Sequence, residues 1–523
     1  MTQNGHSGHS DVQPVGQKQA RARSLVAFFA VAAVFVSSAT SAPASDRTRV
    51  PANVSPFAAA SWDNASSNAY NPKSYPGDMY WVTQEVTGAA SYWNAGYTGA
   101  GVDVAVIDTG VVKVEGLATP GKIVHAPDFS FDTVSEPLRY LDAYGHGTHM
   151  AGIIAGKDGN AGNVDSVATA DASTFVGMAP DARIVNVKVG NLAGVVDVSQ
   201  VIAAIDWVVQ NRKSNGLNIR VINLSYGTDG DQTTLVDPLA YAVERAWTSG
   251  IVVVVAAGND GNATALRNPA YDPYVIAVGA AEGGKTYATS DDSIPTFSNC
   301  GTSGRHVDLV APGKSIVGLR NPGSTIDVAY PEAVVADRFF LGSGTSQAAA
   351  VVSGAAALVI NQQPGISPDQ LKSLLMKTAQ PIPNAKGICQ GAGMLDLVTA
   401  KDTATQKVKQ DWKPSSGKGS LEKSRGSFHV ELAGEVLAGE QDIFGNEWIG
   451  LAFYKYAEAG LNWFDTGWSG LTWSGLSWSG LSWSGLSWSG LSWSGLSWSG
   501  LSWSGLSWST TTWSGLSWKG KAL

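Results

Sequence analysis

The chain has 523 residues, of which 44% are hydrophobic and only 15% are charged. This length allows two or more folded units with a large apolar core. The formal net charge of -8 argues against a nucleic-acid-binding protein, whose surface is normally basic. The two cysteines, Cys300 and Cys389, lie in no Cys/His cluster, so the sequence predicts no metal site. They could form one disulfide in an oxidising compartment or remain two buried thiols.

Residues 1–44 have the pattern of an export signal. Basic residues precede an apolar run at 25–36, and small residues end in an A-x-A-like cleavage site at Ala42-Pro43-Ala44. The run is short for a stable bilayer span, so we expect no membrane span once the signal is removed, with an uncleaved anchor as the alternative. The pattern predicts a secreted, extracellular protein. Residues 45–79, rich in Pro, Ser, Asn and Ala, are expected to be a linker or a short pro-segment.

Residues 80–400 alternate apolar runs with Gly-bounded turns. Strands are predicted at 104–107, 184–189, 221–224, 251–257 and 275–278, and helices at 202–209, 239–247, 347–360 and 371–378. Mostly apolar strands separated by helices are typical of a parallel sheet covered on both faces. The predicted fold class is therefore α/β, with three layers around a central, mostly parallel sheet. The helix at 347–360 is apolar nearly all round, which places it at the centre of the domain.

Residues 401–462 are more polar and are expected to be a linker region. In the tail at 463–523, Trp recurs at every fifth position in units of Trp-Ser-Gly-Leu-Ser, as at 478–482. A period of five gives no Trp stripe on a helix and alternates the Trp between the faces of a strand. The alternatives are a β-solenoid or hairpin stack and a flexible low-complexity tail. Exposed Trp could stack on sugar rings, which would retain the protein at the cell wall or on polysaccharide, or could drive self-association.

Three segments carry the side chains of a nucleophilic hydrolase. Asp108 ends an apolar strand, His146 lies on a Gly-flanked turn before a helix, and Ser346 lies at the amino end of the central helix. A serine hydroxyl needs a base within hydrogen-bond reach, histidine has a suitable pKa, and a carboxylate fixes the imidazole tautomer. The helix terminus at Ser346 would offer N–H groups to a developing oxyanion. Asn259, after another apolar strand, could donate its side-chain amide to the same oxygen.

Each of these residues has a simpler interpretation when it is taken alone. Asp108 could be a turn residue, His146 a buried core histidine, and Ser346 a helix N-cap. Asp108-Thr109-Gly110 is also half of an aspartic protease signature, but that mechanism needs a second carboxylate in a comparable apolar setting. The sequence has no such second motif, since Asp465-Thr466-Gly467 lies at the edge of the Trp repeat. The combination of all the segments favours a catalytic triad.

These segments, in the order Asp, His, Asn, Ser, resemble the subtilisin-like serine protease family. The most specific of them is the HGTHMAG segment that begins at His146. The resemblance covers about residues 80–400 and implies a secreted serine endopeptidase of broad specificity that acts on proteins or peptides. It implies Asp108 as the orienting acid, His146 as general base and then acid, and Ser346 as the nucleophile. Asn259 carries over as the oxyanion donor.

The resemblance also implies a substrate cleft with two walls. The backbone of Ser225, Tyr226 and Gly227 would pair with an extended peptide as an added strand. Ala256, Ala257 and Gly258 would form the other wall of the pocket for the residue before the scissile bond. Arg267 lies where a small residue often lines the base of this pocket, which predicts a preference for acidic residues.

The chain departs from the family pattern in several places. The residue after the nucleophile is Gln347, and the alanines at 348–350 stand where the family usually has Ala-x-Pro. Ser343 replaces a more usual Asn, and residues 45–79 are few for the family's folding propeptide. No cofactor is expected for the chemistry, and structural calcium, frequent in the family, has no specific local motif here.

The alternative from another class is a binding or adhesion protein in which the Trp repeat makes the functional contact. The protease-like domain would then be a scaffold. The sequence argues against this alternative because all three residues of the triad are present.

Overall fold

The computed structural model describes residues 74–134, 136–159, 174–432, 435–443 and 446–460. The expected signal at 1–44, most of the expected pro-segment and the Trp repeat lie outside these residues. Within the part of the chain that is described, no helix has the length and apolar character needed to cross a membrane.

The strands and helices are numbered in chain order. The strands are β1 (Asp103–Asp108), β2 (Ile123–His125), β3 (Arg183–Lys188), β4 (Ile219–Leu224), β5 (Val252–Ala256), β6 (Ile276–Ala281), β7 (Leu309–Pro312), β8 (Ile316–Leu319), β9 (Val334–Val335), β10 (Phe339–Gly342), β11 (Glu431–Leu432) and β12 (Glu435–Val436). The helices are α1 (Met79–Trp81), α2 (Ala90–Asn94), α3 (His146–Ala155), α4 (Val198–Asn211), α5 (Pro238–Thr248), α6 (Thr325–Ala329), α7 (Thr345–Gln362), α8 (Pro368–Thr378), α9 (Gly387–Gln390), α10 (Leu397–Asp402), α11 (Leu421–Arg425) and α12 (Gly450–Glu458).

A seven-stranded sheet in the order β2-β3-β1-β4-β5-β6-β7 forms the centre of the protein, and every neighbouring pair of its strands is parallel. All residues of β1, β5 and β6 are buried, as expected for strands covered on both faces. Helices α3 and α7 pack together, α4 and α5 pack together, and all four contact the sheet. The predicted α/β class with a central parallel sheet is confirmed.

The starts of the main helices are set by their capping residues. Asp197 precedes α4 and accepts the backbone N–H of Ser199 at 2.9 Å, while the side chain of Gln200 completes a capping box. Asp237 caps α5, which has a proline at its first position. The residue before helix α7, Gly344, has no side chain to cap it, and the helix is buried from Thr345 to Ile360, so packing largely determines its position.

The strand order determines where the site lies. Strands β1, β4 and β5 are neighbours, so the residues at their carboxyl ends share one edge of the sheet. This edge carries Asp108 from β1, Ser225 directly after β4, and Ala256 from β5. Ligands of parallel α/β sheets bind at such an edge.

A disulfide joins Cys300 to Cys389, which decides between the two alternatives for these cysteines. The bond spans 89 residues of sequence and ties the chain between β6 and β7 to helix α9. A cross-link over a loop of this kind typically stabilises a protein by about 2–4 kcal/mol, mainly by restricting the unfolded chain.

The structure differs from the linker expected at 401–462, because the described part of this region is folded. Its apolar side chains are buried at Leu421, Val430, Trp448 and Phe453. Arg425 is fully buried and donates to Asp197 Oδ2 at 2.6 Å. Although burial alone would lower the pKa of Arg425, Asp197 raises it, so the ion pair is retained. Removing one partner of such a pair leaves an uncompensated buried charge.

Candidate active site

Asp108 and His146 form a buried pair at the carboxyl edge of the sheet. Asp108 is the last residue of β1, and His146 is the first residue of α3. The imidazole Nδ1 lies 2.8 Å from Asp108 Oδ1 and 3.0 Å from Oδ2, and neither side chain is exposed to solvent. A carboxylate at this nitrogen fixes the proton on Nδ1 and makes Nε2 the basic nitrogen.

A second carboxylate, Asp142, holds the histidine turn in place. Its Oδ1 accepts the Thr109 hydroxyl at 2.7 Å and the Gly145 N–H at 2.6 Å, and its Oδ2 accepts the Thr148 N–H at 2.7 Å. Burial raises the pKa of Asp142, and these hydrogen bonds oppose the rise. Asp142 was not predicted from the sequence, although its place four residues before His146 was a usable signal.

Thr109 connects the two carboxylates to the helix. Its backbone N–H donates to Asp108 Oδ1 at 2.7 Å, and its hydroxyl accepts the Gly147 N–H at 3.0 Å while donating to Asp142. Gly147 lies so close to this turn that an added Cβ would clash with the carbonyl oxygen of Gly110. The first turn of α3 is therefore fixed against the end of β1.

A buried lysine supports the loop behind this pair. Lys188, which ends β3 next to Asp108, donates to Asp132 Oδ2 at 2.8 Å and to the carbonyl oxygens of Thr109 at 3.1 Å and Leu141 at 2.5 Å. Burial acts to lower the pKa of Lys188, but the carboxylates of Asp132, Asp128 and Asp142 together oppose it, and the pKa is raised. A permanent charge thus anchors the chain that leads to the histidine turn. In the sequence, this lysine was only a polar interruption of a strand.

Ser346 is the second residue of α7, the helix that packs against α3, and it is 1% exposed. Its carbonyl oxygen accepts the Ser225 hydroxyl at 3.5 Å, which places it beside the end of β4. Strand β4 is the direct neighbour of β1, which carries Asp108. The structure therefore gathers all three predicted triad residues at one edge of the sheet.

Asn259 is bonded to the residue before the serine. Its Oδ1 accepts the Thr345 N–H at 2.8 Å and the Thr345 hydroxyl at 3.0 Å. The same hydroxyl accepts the Gly258 N–H at 3.1 Å. Because the amide oxygen is used in these bonds, Nδ2 is the end of the Asn259 side chain that can donate to a substrate oxygen beside Ser346.

The two predicted substrate walls follow neighbouring strands. Residues 225–227 follow β4, and residues 256–258 end β5 and continue beyond it. Gly258 has a φ of 114° and faces Arg267, whose Cγ would lie 2.8 Å from an added Cβ. The guanidinium of Arg267 is paired with Asp260. This pairing weakens the basis for the acidic preference expected from Arg267.

Among the residues that the structure describes, no group of three or more His, Cys, Asp or Glu side chains is placed to hold a metal ion.

The subtilase family model (peptidase S8) matches residues 99–419. This chain belongs to the subtilase family. Subtilases are serine-type endopeptidases, in agreement with the names of the relatives that follow. The family match ends just before α11, so α11, α12 and the chain between them lie beyond it.

Two curated subtilases show the extent of the similarity. Serine protease AprX of Bacillus subtilis (strain 168) is 36% identical over 285 residues, which are 53% of this chain and 61% of AprX. Subtilisin DY of Bacillus licheniformis is 32% identical over 308 residues, which are 58% of this chain and 92% of that protein. A crystal structure of a cold adapted subtilisin-like serine proteinase is 31% identical, with a TM-score of 0.41, over 57% of this chain and 88% of that one.

The contribution of the Thr109 hydroxyl, which bonds to Asp142 and to the Gly147 N–H, can be tested with a single substitution. We expect Thr109→Val to lower kcat about tenfold with little change in KM, because a lost buried hydrogen bond costs about 1–3 kcal/mol and here loosens the histidine turn. Thr109→Ser, which keeps the hydroxyl, is the matched control and should retain activity. Steady-state kinetics on a chromogenic peptide measure both. A valine variant with unchanged kcat, or an equal loss in the serine variant, would contradict this role.

Proposed function

We propose that this protein is a secreted serine endopeptidase that hydrolyses peptide bonds through Asp108, His146 and Ser346. The observation that carries the proposal is the buried bond between His146 Nδ1 and Asp108, 2.8 Å long, at the sheet edge that also holds Ser346. Membership of the subtilase family supports the same reaction class. The aligned residues span only 61% of the length of AprX, so the activity of the whole protein is proposed here and does not follow from that similarity.

The proposed reaction begins with attack of Ser346 Oγ on the carbonyl carbon of the scissile bond. His146 Nε2 takes the hydroxyl proton, and Asp108 stabilises the imidazolium that forms. The carbonyl oxygen gains negative charge and is stabilised by Asn259 Nδ2 and by the Ser346 N–H at the start of α7.

The tetrahedral species then collapses. The C–N bond breaks as His146 gives its proton to the leaving amine, and the acyl group stays on Ser346. Water attacks the acyl-enzyme with His146 again as base, which releases the acid and restores the serine hydroxyl. The substrate is an extended protein or peptide whose backbone pairs with residues 225–227.

Ser346→Ala tests this mechanism directly. We expect the variant to lose hydrolysis of casein, because no other group replaces the attacking oxygen, while the wild-type protein loses its activity with phenylmethylsulfonyl fluoride. Equal unfolding temperatures of the two proteins serve as the control for folding. Full activity in the variant would refute the role of Ser346. A folded, processed wild-type protein that neither cleaves casein nor reacts with a fluorophosphonate would favour the binding or adhesion alternative.

We also propose that residues 1–44 direct export and that the Trp repeat at 463–523 retains the secreted enzyme at the cell wall. The support is the signal pattern and the five-residue spacing of aromatic side chains that can stack on sugar rings.

The tail proposal is tested with the Ser346→Ala protein in two matched forms. One carries the natural repeat, and the other has every Trp of the repeat replaced by Ala at the same length. We expect the natural form to sediment with purified cell-wall material and the Ala form to remain in the supernatant. Equal sedimentation of the two forms would contradict retention by Trp. A natural form that stays in the supernatant but forms oligomers would assign the repeat to self-association instead.

A further inference from the structure

Residues 420–430, here called the C-terminal segment, contact the pocket for the residue before the scissile bond. They contain α11 and the turn after it, and they lie beyond the family match, which ends at residue 419. Their contact with the pocket is made through Arg267.

The stem of Arg267 lies between the two predicted walls of the pocket. A Cβ added at Gly227 would lie 2.6 Å from Arg267 Cβ, and one added at Gly258 would lie 2.8 Å from Arg267 Cγ. The stem is therefore in contact with the backbone of both walls. The family resemblance places this position at the base of the pocket, so the stem would leave less depth for a substrate side chain.

The guanidinium of Arg267 is held in one orientation. Its Nε and Nη2 donate to the two carboxylate oxygens of Asp260 at 2.7 and 2.6 Å, and Nη1 lies 3.8 Å from Asp229 Oδ2. The ring of Phe428, in the C-terminal segment, lies 5.2 Å from Cζ. A bidentate carboxylate is a directional partner for this group, and an aromatic face adds a weaker attraction. Asp260 and Asp229 also offset the positive charge of Arg267, which would otherwise attract an acidic substrate residue.

The C-terminal segment is fixed beside the substrate wall by hydrogen bonds. The carbonyl oxygen of Ser424 accepts the Thr228 hydroxyl at 2.6 Å, one residue after the wall at 225–227. Ser427 donates its N–H to Asp229 Oδ1 at 2.7 Å, and its hydroxyl donates to Oδ2 of the same carboxylate. These bonds directly precede Phe428 and set the position of its ring.

The other side of the segment is anchored in the domain. Arg425, with no exposed side-chain surface, pairs with Asp197 at the start of α4 and with Glu422 Oε2 at 2.7 Å. Its Nη2 donates to the carbonyl oxygen of Gln441 at 2.8 Å. A buried arginine with all these partners does not leave its site at low cost. The segment is thus a permanent part of the pocket's surroundings.

We infer that the C-terminal segment makes the pocket shallow and uncharged by using Phe428 to hold Arg267 across its base. The enzyme therefore prefers a small, uncharged residue before the scissile bond, in place of the acidic residue expected from the sequence. The inference rests on the proposed endopeptidase function. Phe428 is a positioning residue that acts through Arg267.

Peptide p-nitroanilides that differ only in the residue before the scissile bond test the inference. With Ala, Phe and Glu at this position, we expect the full-length wild type to prefer Ala at least about tenfold in kcat/KM over each of the others. Arg267→Gly should raise kcat/KM for the Phe peptide above that for the Ala peptide, because the pocket regains its depth. The substitution Phe428→Ala should raise the ratio of kcat/KM for the Phe peptide to kcat/KM for the Ala peptide about threefold. Ile449→Ala, which changes an exposed apolar residue of the same C-terminal region, is the matched control and should leave the ratio unchanged.

A double substitution separates positioning from general damage. In the Arg267→Gly background, Phe428→Ala should cause no further change in the ratio, because the arginine through which it acts is absent. A further shift there, or an unchanged ratio in the single Phe428→Ala variant, would overturn the inference, as would a wild-type preference for Glu. Fluorophosphonate labelling of Ser346 is run in parallel. A wild type that neither labels nor cleaves any peptide overturns the proposed function and this inference with it, whereas normal labelling with an unchanged ratio overturns this inference alone.

Discussion

The hydrogen bond between Asp108 and His146 is the interaction on which the rest of the site depends. It requires a carboxylate and an imidazole to meet in a water-free place, where an unpaired charge is costly. The protein meets this requirement with backbone and hydroxyl donors around the carboxylate and with Asp142, which fixes the turn that carries His146. The parallel sheet supplies the rest, because it sets the ends of β1, β4 and β5 side by side.

Ion pairs are used a second time, away from the reacting atoms. The buried Arg425–Asp197 pair joins the C-terminal segment to the cap of α4, and the partly exposed Arg267–Asp260 pair lies beside the predicted substrate wall at 256–258. The same segment contacts both pairs, because the ring of Phe428 lies over the Arg267 guanidinium. The chain after residue 419 is therefore continuous with the predicted substrate walls, which is the physical basis of our proposal that it affects peptide preference.

The sequence was sufficient where a signal is local. Asp108 and Asn259 lie in short motifs where an apolar run ends, whereas His146 and Ser346 lie in short Gly-containing motifs where a helix begins. The parallel sheet follows from the apolar runs. Long-range partners could not be read in this way: Lys188 and Asp132 are 56 positions apart, and Arg425 and Asp197 are 228 positions apart. The polar composition of residues 401–462 suggested a linker because its polar groups find their partners only in the folded domain.

We propose that Asp108, His146, Ser346 and Asn259 act on one substrate carbonyl, and this can be tested with a crystal structure of the protein after reaction with a fluorophosphonate. We expect phosphorus bonded to Ser346 Oγ, with one phosphonyl oxygen about 2.7–3.1 Å from both Asn259 Nδ2 and the Ser346 backbone nitrogen. The bond from His146 Nδ1 to Asp108 should be unchanged. Phosphorus on another residue would refute the role of Ser346, and a phosphonyl oxygen out of reach of Asn259 would refute the role of Asn259.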